Sequence, residues 1–179
     1  MIKPEHLFRP AEGGAIDQPL EHLVACHRRM EERLATLERV AEHLAARRQE
    51  ALEAIQACFR FFETSGQWHI ADEEQSVFPR MRTALNESES AYLADLESQH
   101  VEAGRAFAGL RTVVAELAAA GEPGAALIAR YRQSVDRVCA LYREHIASED
   151  KTLTELAKRV LSEADLAAIA QEMKQRRGR

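Results

Sequence analysis

Residues 20–65, LEHLVACHRRMEERLATLERVAEHLAARRQEALEAIQACFRFFETS, run without a single glycine or proline. Ala, Leu, Glu and Arg dominate the stretch, and these lose little on entering a helix. Its apolar positions recur at Leu20, Leu23, Met30, Leu34, Leu37, Ala41 and Leu44, the three- and four-residue steps of one helical face. Residues 125–173 form a second stretch of the same kind. No two-residue alternation of a strand and no 20–50-residue repeat interrupts them.

Local punctuation divides the chain into helices at 19–47, 50–85, 88–119, 124–161 and 163–176. Asn86-Glu-Ser88-Glu89 predicts an N-cap with acidic residues in the first turn. Gly121-Glu-Pro123-Gly predicts a glycine C-cap and a proline opening the next helix. Ser162-Glu-Ala-Asp165 is close to a capping box. Thr64, Ser65, Gly66 and the later Pro79 predict an interruption of the second helix. The expected fold is all-α, an up-down-up-down four-helix bundle with a short C-terminal fifth helix. Residues 1–18, with Pro4, Pro10, Gly13 and Gly14, read as an irregular lead-in, 19–161 as the bundle, and 162–179 as the C-terminal helix and basic tail.

The chain of 179 residues, 46% hydrophobic and 30% charged, suits one globular domain and excludes wholesale disorder. A net charge of -5 speaks against nucleic acid or an anionic membrane as partner. Nothing approaches the roughly 18 consecutive apolar residues of a membrane helix, and MIKPEHLFRP lacks the apolar core of a secretory signal. Cys26, Cys58 and Cys139 are odd in number and form no C-x-x-C pair. They read as buried hydrophobes in a reducing, cytoplasmic setting.

The functional signal lies in four histidines. His27 is seven residues from both Leu20 and Leu34, and so belongs to the apolar stripe of the first helix. His69 is seven beyond Phe62, His100 falls between Leu96 and Phe107, and His145 is seven beyond Val138. Glu73 and Glu149 follow His69 and His145 by four residues, about 40° apart on a helix, so ring and carboxylate aim at one spot. His22 and His43 fall on the expected solvated face and His6 in the lead-in. Four imidazoles and two carboxylates in an apolar core are costly unless paired. A pair of cations offsets that cost, and this donor mix suits iron or manganese better than calcium or magnesium. Glu74, Glu97, Glu102 and Asp150 are weaker candidates, as ligands or as partners of ligands.

These residues resemble a known family. His69-Ile-Ala-Asp-Glu73-Glu-Gln-Ser-Val-Phe-Pro79 and Tyr142-Arg-Glu-His145-Ile-Ala-Ser-Glu149-Asp150 are similar to the two His-x-x-x-Glu signatures of hemerythrin-like (HHE cation-binding) domains. Cys26-His27-Arg-Arg-Met-Glu31 and Gln99-His100 resemble the first- and third-helix motifs. The resemblance implies a bundle around two iron ions joined by an oxo or hydroxo bridge, with manganese or zinc as substitutes. It implies His27, His69, His100 and His145 as terminal ligands and Glu73 and Glu149 as bridging carboxylates. Oxygen-carrying members supply a second histidine one turn after the third-helix one, where this chain has Gly104. The expectation is an open coordination position there, filled by solvent, by Glu74 or by a small molecule.

The expected function is a cytoplasmic metal-binding protein that binds or senses O2, NO, peroxide or iron, with binding rather than turnover as its role. Its expected partner is a small diatomic ligand, with a homodimer or a protein partner to carry a signal. The alternatives are a ferritin-like di-iron oxidase or iron-handling enzyme, for which Glu97-Ser-Gln-His100 supplies one Glu-x-x-His, or a metal-free helical interaction module. The basic end Lys174-Gln-Arg-Arg177-Gly-Arg179 reads as a frayed terminus, and Trp68 as core or as a plug at the bundle end.

Overall fold

The computed structural model describes residues 16–178, so His6, Arg179 and most of the lead-in lie outside the described residues. Five helices account for the fold, and no strand occurs among the described residues. Helix α1 is Pro19–Val40, α2 spans 48–82, α3 is Glu87–Ala119, α4 spans 125–160 and α5 is Glu163–Arg176. None is long and apolar enough to cross a membrane.

Two starts follow the predicted chemistry. Asn86 accepts from the Glu89 amide at 3.0 Å while the Glu89 carboxylate accepts from the Asn86 amide at 3.1 Å. Ser162 and Asp165 make the same reciprocal pair, opening α5. Two ends differ from expectation. Helix α1 stops at Val40, not 47, although nothing in 41–47 disfavours helix. Turns bonded Ala41 N–H to Glu38 O and His43 N–H to Val40 O reverse the chain there, with Ala41 and Leu44 buried. Tertiary burial overrides local propensity at this bend. Gly121 is no left-handed cap, since Gly178 alone among described residues has positive φ. Instead the Arg48 guanidinium takes the Leu117 and Ala118 carbonyls at 2.9 and 2.6 Å, and α4 begins after Gly124 rather than at Pro123.

Helix α2 is not broken at Thr64-Ser65-Gly66. It widens there into a π-turn, Phe62–Gly66. Two more π-turns, Glu73–Val77 in α2 and Glu149–Leu153 in α4, were not predicted. Their cause lies in the inward seams. His69, Glu73 and Val77 are all buried, as are His145, Glu149 and Leu153, so each seam advances by four residues twice running. Each step of four overshoots a full α-turn by about 40°, and two in succession would swing the third residue out of the core. One extra residue in a wide turn resets the register. Pro79 falls at the start of the α-helical stretch after the first of these turns, where its missing N–H does not end the helix.

The core comes in two apolar blocks. One is built on Met30, Leu34, Leu37, Ile55, Phe59, Phe62, Phe107, Leu110 and Val138. The other is built on Leu23, Val77, Phe78, Met81, Leu93, Leu96, Leu153 and Ile169. Along every long helix the inward histidine falls between a residue of one block and a residue of the other. Burying the two blocks supplies the main driving force. The polar layer between them is the anomaly that needs a chemical explanation.

Candidate metal centre

His27, His69, His100 and His145 are buried, and Glu73 and Glu149 are at most 1% exposed. Together they form two clusters that share both carboxylates. His27, His69, Glu73 and Glu149 make one, and His100, His145, Glu73 and Glu149 the other. In the first, His27 Nε2 faces His69 Nε2 at 3.0 Å, with Glu149 Oε2 3.1 Å from His27 and Glu73 Oε1 3.2 Å from His69. In the second, His100 Nε2 faces His145 Nε2 at 3.0 Å, with Glu73 Oε2 3.4 Å from His100 and Glu149 Oε1 3.1 Å from His145. Each carboxylate thus turns one oxygen to each cluster.

The outer ring nitrogens are tied down differently. His27 Nδ1 bonds Asp150 Oδ1 at 2.7 Å, His100 Nδ1 bonds Glu74 Oε1 at 2.8 Å, and His145 Nδ1 bonds Gln99 Oε1 at 3.0 Å. An oxygen acceptor places a proton on Nδ1 and turns Nε2 toward the centre. Asp150 and Glu74 therefore support the His27 and His100 rings from outside, and Glu74 meets the outer nitrogen of its ring, not the centre. Glu97 pairs with Arg82 at 2.8 Å and Glu102 with Arg137 at 3.5 Å, and neither belongs to a cluster. The Glu-x-x-His reading behind the oxidase alternative loses its carboxylate.

Counted over side chains alone, the electrostatics of these six residues are unfavourable. All four carboxylate oxygens of Glu73 and Glu149, and Nδ1 of His69, are buried with no hydrogen-bond partner. Burial pushes the Glu73 carboxyl well above its usual range, with the Glu149 charge adding to it. Burial opposes the charge on Glu149 too, but the neighbouring imidazoles of His145, His27 and His69 win and hold it low. Burial drives His69 down to about 4. It also disfavours the charged form of His27, yet the Asp150 and Glu149 carboxylates outweigh it and raise that ring to about 10. Buried carboxylate oxygens without a hydrogen bond are a costly arrangement. A cation in each cluster satisfies every one of the inward atoms at once. The residues fit the group.

Two further expectations need correction. Gly104 is exposed, and a Cβ there would meet nothing within 4 Å. The inward seam of α3 runs Leu93, Leu96, His100, Ala103, Phe107 and Leu110, all buried, so Ala103 rather than Gly104 faces in. A cavity of about 10 Å³ does border the second cluster, lined by Met30, His69, His100, Ala103, Tyr142 and His145. That volume holds about one water-sized molecule. His22, expected on the solvated face, is 8% exposed, while His43 is exposed as expected. A fifth helix packs on α1, so fewer of its faces are free than a four-helix count allots.

The basic end is not frayed. Arg176 and Arg177 both pair with Asp72, which is 0% exposed, and Arg177 lies over the Trp68 ring at 5.4 Å. Sequence reasoning had no signal for this contact, nor for Gln99 as a support of His145. Periodicity places residues on faces but does not match partners a hundred positions apart.

Fold and site together define a class, an all-helical protein whose core carries a buried histidine–carboxylate centre suited to cations. The family comparison is more specific. The hemerythrin HHE cation-binding domain matches residues 18–157, and the chain belongs to that family. A search of the curated proteins gives no match.

Proposed function

We propose that the chain holds two iron ions, one in each cluster, and binds a small ligand such as O2 or NO beside them. The observation that carries this is the shared pair Glu73 and Glu149, whose four buried oxygens have no other partner. His27 and His69 would hold one ion and His100 and His145 the other, with the two glutamates spanning both. When bound, such a pair supplies redox change and an open position for a small ligand. The protein's own contribution is to orient three of the four imidazoles, His27, His100 and His145, through Asp150, Glu74 and Gln99 and to keep water out with two apolar blocks. The cavity against Ala103 and Tyr142, with room for about one water-sized molecule, marks where we place the approach of a small ligand.

The alternation of the apolar blocks along α1, α2, α3 and α4 supports the up-down-up-down topology, since each helix meets them in the opposite order from the one before. Three buried free cysteines support a reducing cytoplasmic setting. Binding rather than turnover is the role favoured, because Glu97, the carboxylate of the Glu-x-x-His pattern behind the oxidase alternative, pairs with Arg82 and belongs to neither cluster.

Anaerobic reconstitution with Fe²⁺ tests the reading by elemental analysis and absorption spectra before and after O2 or NO. The expected result is two irons per chain and a ligand-dependent band. Less than about half an equivalent of any transition metal after reconstitution would remove the proposal.

A further inference from the structure

Helix α5 lies beyond residue 157, where the family match ends, yet it grips the segment that carries two of the site residues. Trp68, Asp72 and Ser76 lie four apart along α2, as do His69, Glu73 and Val77 one position on. The second stripe faces the centre. The first faces α5. Arg176 and Arg177 donate to Asp72, with Arg177 Nη2 at 2.6 Å from Oδ2, and Arg176 Nη2 donates to Ser76 Oγ at 3.0 Å. Arg80 donates to the Ser76 carbonyl at 2.8 Å and binds Glu172 of α5 through its other nitrogen at 2.7 Å. Ser76, inside the π-turn that begins at Glu73, is therefore held from both its side chain and its backbone.

We infer that α5 is a built-in clamp on this π-turn, with Arg176 and Arg177 as positioning residues that hold Glu73 and His69 in metal-binding register. The physical case rests on adjacency. Asp72 is fully buried between two guanidiniums, and breaking a buried pair by removing its partners is strongly disfavoured. The turn cannot rotate to release Asp72 without turning Glu73 away from both clusters. A wide turn lacks the uniform ladder of an α-helix, so its geometry depends on such outside contacts. The inference rests on the metal-binding reading for its consequence, though not for the clamp itself.

The test uses the full chain as Arg176→Ala/Arg177→Ala, with Arg176→Lys/Arg177→Lys as the conservative variant. The comparator is a substitution at Ile55, in the far apolar block, chosen as Ile55→Val or Ile55→Ala to match the loss of melting temperature. Two readouts are taken: Co²⁺ affinity by titration and spectrum, and amide hydrogen exchange across 69–77 in metal-free protein. The double alanine variant should lose about 10–100-fold in Co²⁺ affinity, the usual range for losing support around a ligand, and exchange faster at 69–77. The lysine variant should recover part of both, and the Ile55 variant should show neither. Unchanged exchange at 69–77, or an affinity loss equalled by the Ile55 variant, overturns the clamp. If wild-type protein binds no Co²⁺ at all, the metal reading fails, and the exchange data still decide whether the clamp exists.

Discussion

Replacing Glu73 with methionine removes both of its carboxylate oxygens while keeping an unbranched side chain of similar length and helix propensity. In metal-free protein those oxygens are buried without a partner, an arrangement that costs about 1–3 kcal/mol. Replacing buried charged groups with apolar ones is often stabilising on that scale. In a domain of this size about 1 kcal/mol moves the melting temperature by roughly 2–4 °C, so metal-free Glu73→Met should melt about 2–12 °C above metal-free wild type. The sign reverses with metal. An ion at about 1,000 times its dissociation constant adds about 4 kcal/mol to the native state, or roughly 8–16 °C for wild type, and the variant forfeits most of that gain. Scanning calorimetry on chelator-stripped and iron-loaded samples of both proteins reads all four values. A Glu73→Met protein that melts lower than wild type in the metal-free state would refute the reasoning, because Glu73 would then hold the fold through contacts of its own.

His145→Ala should strip iron from the protein while His43→Ala leaves it in place, read by elemental analysis, since His43 is exposed and far in role from the clusters. Gly104→Leu should change neither iron content nor azide affinity, because its side chain projects into open space. Ala103→Leu should keep iron but weaken azide binding at least several-fold and lower the melting temperature, as overpacking costs about 1–3 kcal/mol; equal azide affinity in this variant would show that the ligand enters elsewhere. Burial raises the thiols of Cys26 and Cys58 to about 11 and Cys139 to about 12. A group whose acid form persists that far stays protonated at pH 8, so a disulfide-exchange reagent at that pH should titrate no thiol until the protein is unfolded.

What was legible in the sequence followed the range of the interaction. The capping boxes at Asn86 and Ser162 complete themselves within three residues, so both helix starts could be read where they lie. The four histidines were legible because burial repeats with the helical turn, and seven-residue spacing from Phe62 or Val138 carries a side chain back to the same face. The end of α1 at Val40 was not legible, since the bend is imposed by burial of Ala41 and Leu44 and not by a breaker residue.

The π-turns and Gly104 share one explanation. Four-residue spacing from a histidine does not by itself mean an inward position. On α3 the buried seam alternates steps of three and four, which keeps it straight and leaves Gly104 outside. On α2 and α4 the seam takes consecutive steps of four, which only a widened turn can keep in the core. Each glutamate of His-x-x-x-Glu thus reaches the centre by its four-residue step from the histidine, and the π-turn that starts on it keeps Val77 or Leu153 in the core. Any change that restores a regular α-helix at 73–77 or 149–153 should turn Val77 or Leu153 out of its apolar block while leaving every candidate ligand in the sequence. The Asp72 contacts with Arg176 and Arg177 oppose that change at the first of these turns. At the second, Tyr92 bonds the Ser148 carbonyl and hydroxyl at 3.1 Å, one residue before Glu149. Both glutamate positions are therefore held by residues that the His-x-x-x-Glu motif does not contain.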